Sequence, residues 1–334
     1  MEILIKGQEF LAYLLFTMFV TGILKERGYL MDIFRLLEQK VKSKKMVVFL
    51  VSLFGGILPV TGRVALSASM LNSIAPVDNK KRKKFGIIDY LATHHYYLWS
   101  PIEKTVIIPM AVLGLTYAQF MSYIWPLLLI SGLYITYYIL SLSDDEIDIE
   151  VKDEQINWKN IFFVVVPFLV TILVSCFTSY YFTAFTVFTS YLIAYSRLWK
   201  NLIGYINWEL LWIVAVVIML GNLVGSYYSQ IEEFLKQYKN PESILVVSVL
   251  GFLASFLLGS SAKYASIVCL LTTVFGMEYF VLFFTLEYSA YLISPSHKCL
   301  PIGQKYFHTG FLTYLKALII WISLMITYAI LTIL

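Results

Sequence analysis

Between two clusters of basic residues the sequence runs for about 32 residues with a single charge, and that stretch sharply limits how the chain can fold. Lys40, Lys42, Lys44 and Lys45 precede it, and Lys80, Lys81, Arg82, Lys83 and Lys84 follow it. Two helical crossings of a bilayer need about 40 residues. One crossing would leave a basic cluster on each face, against the bias that keeps Lys and Arg cytoplasmic. The middle reads Gly55-Gly56-Ile57-Leu58-Pro59-Val60-Thr61-Gly62-Arg63, where Gly and Pro interrupt a helix. The economical reading is a re-entrant helical hairpin over 46–77 that enters from the cytoplasm and returns. A kinked single span is the alternative. Backbone left bare at membrane depth persists only where protein or a water-filled cavity covers it, so the hairpin tip is a site candidate.

Composition places the chain in a bilayer. Of 334 residues 59% are hydrophobic and 14% charged, with a mean hydropathy of +0.76. A soluble domain is nearer 45–50% apolar and about 25% charged, and single soluble cores stop growing at roughly 250–300 residues. An ordinary cytosolic enzyme, a nucleic-acid binder and a disordered chain are excluded on this ground. Aromatic residues at 17% fit the enrichment of Tyr and Trp at bilayer interfaces. The three cysteines, Cys176, Cys269 and Cys299, read as structural thiols rather than a disulfide framework. The first apolar run, 10–24, lacks a cleavage pattern and reads as a retained span.

Apolar length gives candidate spans at roughly 8–25, 87–116, 120–141, 160–177, 180–196, 205–226, 277–300 and 309–333. The basic loops 25–45 and 79–85 are expected in the cytoplasm, with Arg197 and Lys200 on the same side. The acidic segment 144–158 reads as a cytoplasmic linker, and 159–200 as connecting transmembrane helices.

The second half of the chain repeats the first. Tyr97-Leu98-Trp99-Ser100-Pro101-Ile102-Glu103-Lys104 matches Tyr291-Leu292-Ile293-Ser294-Pro295-Ser296-His297-Lys298 as Y-L-x-S-P-x-x-K. Upstream, 57–65 aligns with 257–265; downstream, 133–140 aligns with 324–331. The crossings counted above leave a second hairpin, 243–276, open to the opposite face. Paired interruptions in oppositely oriented halves point to a secondary-transporter site at the midplane. The fold class expected is therefore all-α and polytopic, with two inverted-topology repeats, each holding a re-entrant hairpin and a broken transmembrane helix. The first repeat is 1–143 (hairpin 46–77, broken helix 87–116) and the second is 201–334 (hairpin 243–276, broken helix 277–305). Each half also has a short amphipathic arm, Met31–Lys40 and Ile231–Lys239, of the kind that lies in an interface plane.

The Gly-Gly-x-Leu-Pro segment entering a small-residue helix over 55–69 resembles an uncharacterised integral membrane family of the ion transporter superfamily. Trp99-Ser100-Pro101, Ser294 through Leu300 and Lys305-Tyr306-Phe307 carry the same resemblance. That superfamily includes gluconate permeases, citrate carriers and divalent-anion/sodium symporters. The resemblance covers most of the chain from Met46 onward and implies elevator-type alternating access, with a homodimer common among such relatives. The chain is shorter than most members. It also lacks the Ser-Asn-Thr tip motifs of sodium/dicarboxylate symporters, so substrate and sodium site do not carry over.

The breaks supply the site chemistry. Thr61, Gly62 and Arg63 at one tip and Ser260, Ser261 and Lys263 at the other face Ser100, Lys104, Ser294, His297 and Lys298 at the broken helices. Half-helix N-termini, hydroxyls and rare membrane-depth cations suit a small organic anion; snorkelling of each cation to the interface is the plain alternative. Coupling by Na+ or H+ is expected at Pro59, Ser67, Gly259, Ser266, Asp89, His94 and Glu287. His94-His95 is an adjacent pair, but with four histidines in the chain no metal is expected beyond a possible Na+, and no other cofactor. HExxH, Gly-x-Ser-x-Gly and a phosphate-binding loop are absent from the sequence, so transport is expected rather than an enzyme. A cation/proton antiporter and a non-transporting membrane scaffold are the rival readings. The partners implied are an anionic small molecule and the lipid of an inner (plasma) membrane, with no nucleic acid.

Overall fold

A computed structural model describes residues 11–12, 15–16, 18–20, 22–24, 26–57, 63–74, 79–101, 103–143, 147, 155–177, 181–206, 208, 211–212, 215, 241–297 and 299–334. Among these the chain is all-helical, with no strand. The helices are α1 (Tyr29–Lys40), α2 (Lys44–Ile57), α3 (Arg63–Ile74), α4 (Asn79–His94), α5 (Lys104–Leu113), α6 (Tyr117–Leu140), α7 (Trp158–Phe177), α8 (Tyr181–Ser196), α9 (Pro241–Leu258), α10 (Ser261–Phe275), α11 (Phe280–Ile293), α12 (Cys299–Phe307) and α13 (Phe311–Leu331). A 3-10 turn, His95–Leu98, extends α4. The Pro59-containing segment between α2 and α3 and the arm Ile231–Lys239 lie outside the described residues.

The two Ser-Pro motifs fall where helices stop. Proline disfavours the helical conformation of the residue before it, and helix resumes only at Lys104 in one case and Cys299 in the other. The restart into α6 is encoded locally. Thr116 caps the helix by accepting from the Gln119 backbone, and the Gln119 side chain accepts from the Thr116 N–H at 2.8 Å. This reciprocal capping box satisfies two otherwise orphaned donors.

Two layers of contact organise the halves. Within each half the first hairpin arm packs on the helix before the break, α2 on α4 and α9 on α11. Between halves the second arm packs on the short helix after the opposite break, α3 on α12 and α10 on α5. The halves are thus interleaved. The long helices α6 and α13 meet through Trp321, whose indole donates to Ser131 at 3.0 Å, and Tyr134, which donates to the Ala317 carbonyl at 2.6 Å. These two are also the helices, among the described residues, long and apolar enough to cross a bilayer individually.

The basic clusters converge on one end of the molecule. Lys44 donates to the Ile147 carbonyl at 2.8 Å and Lys84 to the Ser141 carbonyl at 3.1 Å, beyond the end of α6. Arg27 bonds the Ser196 carbonyl, beside the last turn of α8. Buried Asp32 on α1 accepts from the Asn160 side chain at 2.9 Å. So α1 is docked on the start of α7 as well as being amphipathic, its apolar face closed by Phe34 and Leu37.

A mainly apolar core is combined with apolar outward faces. Outward faces are apolar, with Trp125 55%, Leu133 64%, Leu245 66% and Leu257 70% exposed. The interior holds Asp89, His94, Ser100, Glu103, Glu287, Ser294 and His297, all buried.

Candidate functional site

The buried polar residues gather where the two interrupted helices meet. Tyr97 and Tyr291, the first residues of the repeated Y-L-x-S-P, touch hydroxyl to hydroxyl at 2.9 Å. Interrupting a helix leaves carbonyls of its last turn without intrahelical partners, and here each half supplies donors to the other. Tyr288 donates to the His94 carbonyl at 2.9 Å, and Tyr90 donates to the Leu292 carbonyl at 2.6 Å. Thr105 donates to the Tyr97 carbonyl at 2.6 Å, and Tyr117 to the Trp99 carbonyl at 2.7 Å. A buried carbonyl without a partner costs about as much as a lost hydrogen bond, so these tyrosines and threonine hold the breaks open at modest cost.

The second hairpin tip reaches both breaks. Gly259 has φ +53, and a side chain there would come within 2.7 Å of Ser296 and 2.9 Å of the His297 nitrogen. Only glycine combines that left-handed backbone with so close an approach. The Ser294 hydroxyl donates to the Phe256 carbonyl at 2.5 Å. One turn further on, buried Tyr264 comes near Thr105 and Glu103 at the start of α5, on which α10 packs, and its hydroxyl has no hydrogen-bond partner among the described residues. Ser260, Ser261 and Lys263 are half-buried here, as is Lys104, the first residue of α5. Buried Ser100 has a hydroxyl with no hydrogen-bond partner among the described residues.

A buried carboxyl sits on each helix before a break, Asp89 eight residues ahead of Tyr97 and Glu287 four ahead of Tyr291. Glu287 on α11 accepts from the Ser255 hydroxyl of α9, and its second oxygen has no hydrogen-bond partner among the described residues. Gly251 makes room for it, since a Cβ there would lie 2.2 Å from that oxygen. Asp89 on α4 lies near Ser52 on α2 and Ser67 on α3, but the Ser67 hydroxyl donates to the Val64 carbonyl at 3.3 Å, and Ser52 Oγ and Asp89 Oδ1 have no hydrogen-bond partner among the described residues. Each helix before a break thus carries a buried carboxyl near a serine of its own hairpin's first arm.

Other expected residues distribute unevenly. Thr61, Gly62, Pro59 and Lys298 lie outside the described residues, as does the side chain of Arg63. The Ser266 hydroxyl donates into its own helix, to Ala262 at 2.8 Å. His94 and His95 do not act as a pair. His95 turns to the Ala92 carbonyl at 2.7 Å and lines an apolar groove of about 490 Å³ against Phe49 and Trp125. His94 instead meets His297, with Nε2 atoms 3.3 Å apart, and stacks on Tyr90. Cys299 joins them, and the three ligand-capable atoms all lie within 4.8 Å of one another. Sequence reading missed Tyr90, Tyr97, Tyr288, Tyr291 and Cys299 as site residues. The tyrosines of the repeated motif were the one available signal. Neither Cys269 nor Cys299 is in a disulfide.

Residues 8–334 match a family model described as a protein of unknown function (DUF401). No curated protein matches the chain.

Proposed function

The chain belongs to the DUF401 family, and we propose that it is a polytopic membrane transporter of the ion transporter superfamily type, moving a small organic anion by alternating access. The single observation that carries this reading is the second hairpin tip, seated on both helix breaks at once through Gly259, Ser294 and Tyr264. Broken helices at a repeat interface are the usual architecture of secondary-transporter sites. The apolar outward faces support a bilayer location, since contiguous exposed apolar surface of this extent marks membrane contact. The interleaving of α3 with α12 and α10 with α5 supports two inverted repeats.

In this reading the starts of α5 and α10 converge on the substrate. Their first-turn N–H groups and positive dipole ends attract an anion, while Lys104 and Lys263 supply charge and Ser100 a donor. Asp89 and Glu287 hold the coupling cation, H+ or Na+, beside Ser52, Ser67 and Ser255. Motion of the hairpin tips relative to α6 and α13 would then open the site to alternate faces.

The test is thermal stabilisation of the purified protein by a panel of mono-, di- and tricarboxylates, with and without Na+ and at two pH values. At least one anion is expected to stabilise it, and Lys263→Ala to abolish the effect. No stabilisation across the panel would remove the anion assignment.

A further inference from the structure

The geometry points to a transition-metal site joining the two halves, with His94 Nε2, His297 Nε2 and Cys299 Sγ as ligands to one ion of the zinc class. The hydrogen bonds of the two rings fix where the imidazole protons must be. A carbonyl oxygen only accepts, so the Tyr90 hydroxyl, 2.6 Å from the Leu292 carbonyl, donates there. That hydroxyl therefore accepts from His297 Nδ1 at 2.9 Å, and the His297 proton is on Nδ1. His94 Nδ1 lies 2.6 Å from the Tyr90 carbonyl, so its proton is on Nδ1 as well. Both tautomers are assigned from hydrogen-bond partners, as is proper for histidine.

Two neutral rings so fixed turn their Nε2 lone pairs toward each other across 3.3 Å. Lone pairs at that spacing repel unless a cation sits against both. Tetrahedral zinc with Zn–N bonds of about 2.0–2.1 Å places two ligand nitrogens about 3.3–3.4 Å apart, which is the spacing found. Cys299 Sγ is within 4.8 Å of both nitrogens. A bound Zn–S of about 2.3 Å asks for roughly 3.6 Å, a displacement of about 1 Å at Sγ.

The surroundings have the form of a metal site. Each histidine is oriented by a bond from its other nitrogen, to a carbonyl or a tyrosine, as ligating histidines usually are. Two imidazoles and a thiolate select zinc-class ions over calcium or magnesium. Three protein ligands leave a fourth position open to water or an incoming donor. His94 comes from the helix before the first break, and His297 and Cys299 from the second break, so a bound ion would pin the halves together. The site requires nothing of the transport reading.

The test uses the full chain, purified in detergent, treated with chelator and titrated with Co2+. The expected result is saturable binding of one equivalent, with intense tetrahedral d–d bands and a thiolate-to-cobalt charge-transfer band, displaced by Zn2+. Cys299→Ser is expected to remove the charge-transfer band and His297→Gln to lose saturable binding. Tyr90→Phe is expected to weaken binding about 10–100-fold. Absence of saturable cobalt binding in the unmodified chain would overturn the proposal and leave a shared proton between the imidazoles. So would binding unchanged by both ligand substitutions. The unmodified chain decides the first point, so a variant that fails to fold does not rescue the proposal. A carboxylate panel plays no part in this readout, so its failure and that of the transport reading are separable.

Discussion

Tyr90 works from both ends. Its hydroxyl donates to the Leu292 carbonyl and accepts from His297, and its own carbonyl accepts a hydrogen bond from His94 Nδ1. One residue therefore sets the ring orientation of two histidines 203 positions apart in the chain. Glu287 is held more lightly, by Ser255 on one oxygen and by the vacant Cβ position of Gly251 on the other. Glu287→Gln is expected to leave the protein folded, because the amide fills the same volume and still meets Ser255. Its expected effect is loss of the cation dependence of anion stabilisation, read in the same thermal assay. Gly251→Ala presses a methyl group on that oxygen and should lower stability by about 1–3 kcal/mol, measured by thermal unfolding in detergent. The site at this scale was only half legible in sequence. Adjacency made His94-His95 look like a pair, yet neighbouring residues on a helix point about 100° apart, and the structure separates them. His94 and His297 are brought together only by packing between halves, which no local spacing announces.

Elements were more legible, because breaks and caps are written locally. Ser100-Pro101 and Ser294-Pro295 stop helices by the steric demand of proline, and the repeated Tyr-Leu before each Ser-Pro puts Tyr97 and Tyr291 in contact. The all-helical class follows from long apolar segments without the alternation that strands require. Less legible was the interleaving of α3 with α12 and α10 with α5. It depends on which half-helix each hairpin arm meets, and both arms are apolar enough to meet either. Gly259→Ala tests the second hairpin directly. It adds a left-handed residue penalty of about 1–2 kcal/mol and a clash with Ser296 and His297. The tip should lift from the break, and anion stabilisation should fall more than unfolding temperature. Thr116→Ala, by contrast, removes only the α6 cap. It should cost about 1 kcal/mol, seen in thermal unfolding, and leave anion binding unchanged.

At the scale of the whole molecule, charge and apolarity organise different directions. Lys44, Lys84 and Arg27 bond to chain segments at one end, the end that the proposed orientation assigns to the cytoplasm. Apolar side chains cover the flanks of α6, α7, α9 and α13, and a cluster of polar groups lies within a mainly apolar centre. Sequence showed the first two features through composition and the placement of Lys and Arg. It named Asp89, His94, Ser100, Glu287, Ser294 and His297 as candidates but not which of them meet, because a buried histidine and an interfacial one look alike in a string of letters. In the transport reading the site opens to alternate faces of a membrane. Ser261→Cys, made in a Cys176→Ser/Cys269→Ser background, places a thiol at the second tip. Labelling by a membrane-impermeant maleimide in right-side-out and inside-out vesicles, with the parent chain as blank, reads that thiol from each face. Alternating access predicts labelling from both faces, with the ratio shifted by a stabilising carboxylate; labelling confined to one face, or to neither, would contradict it.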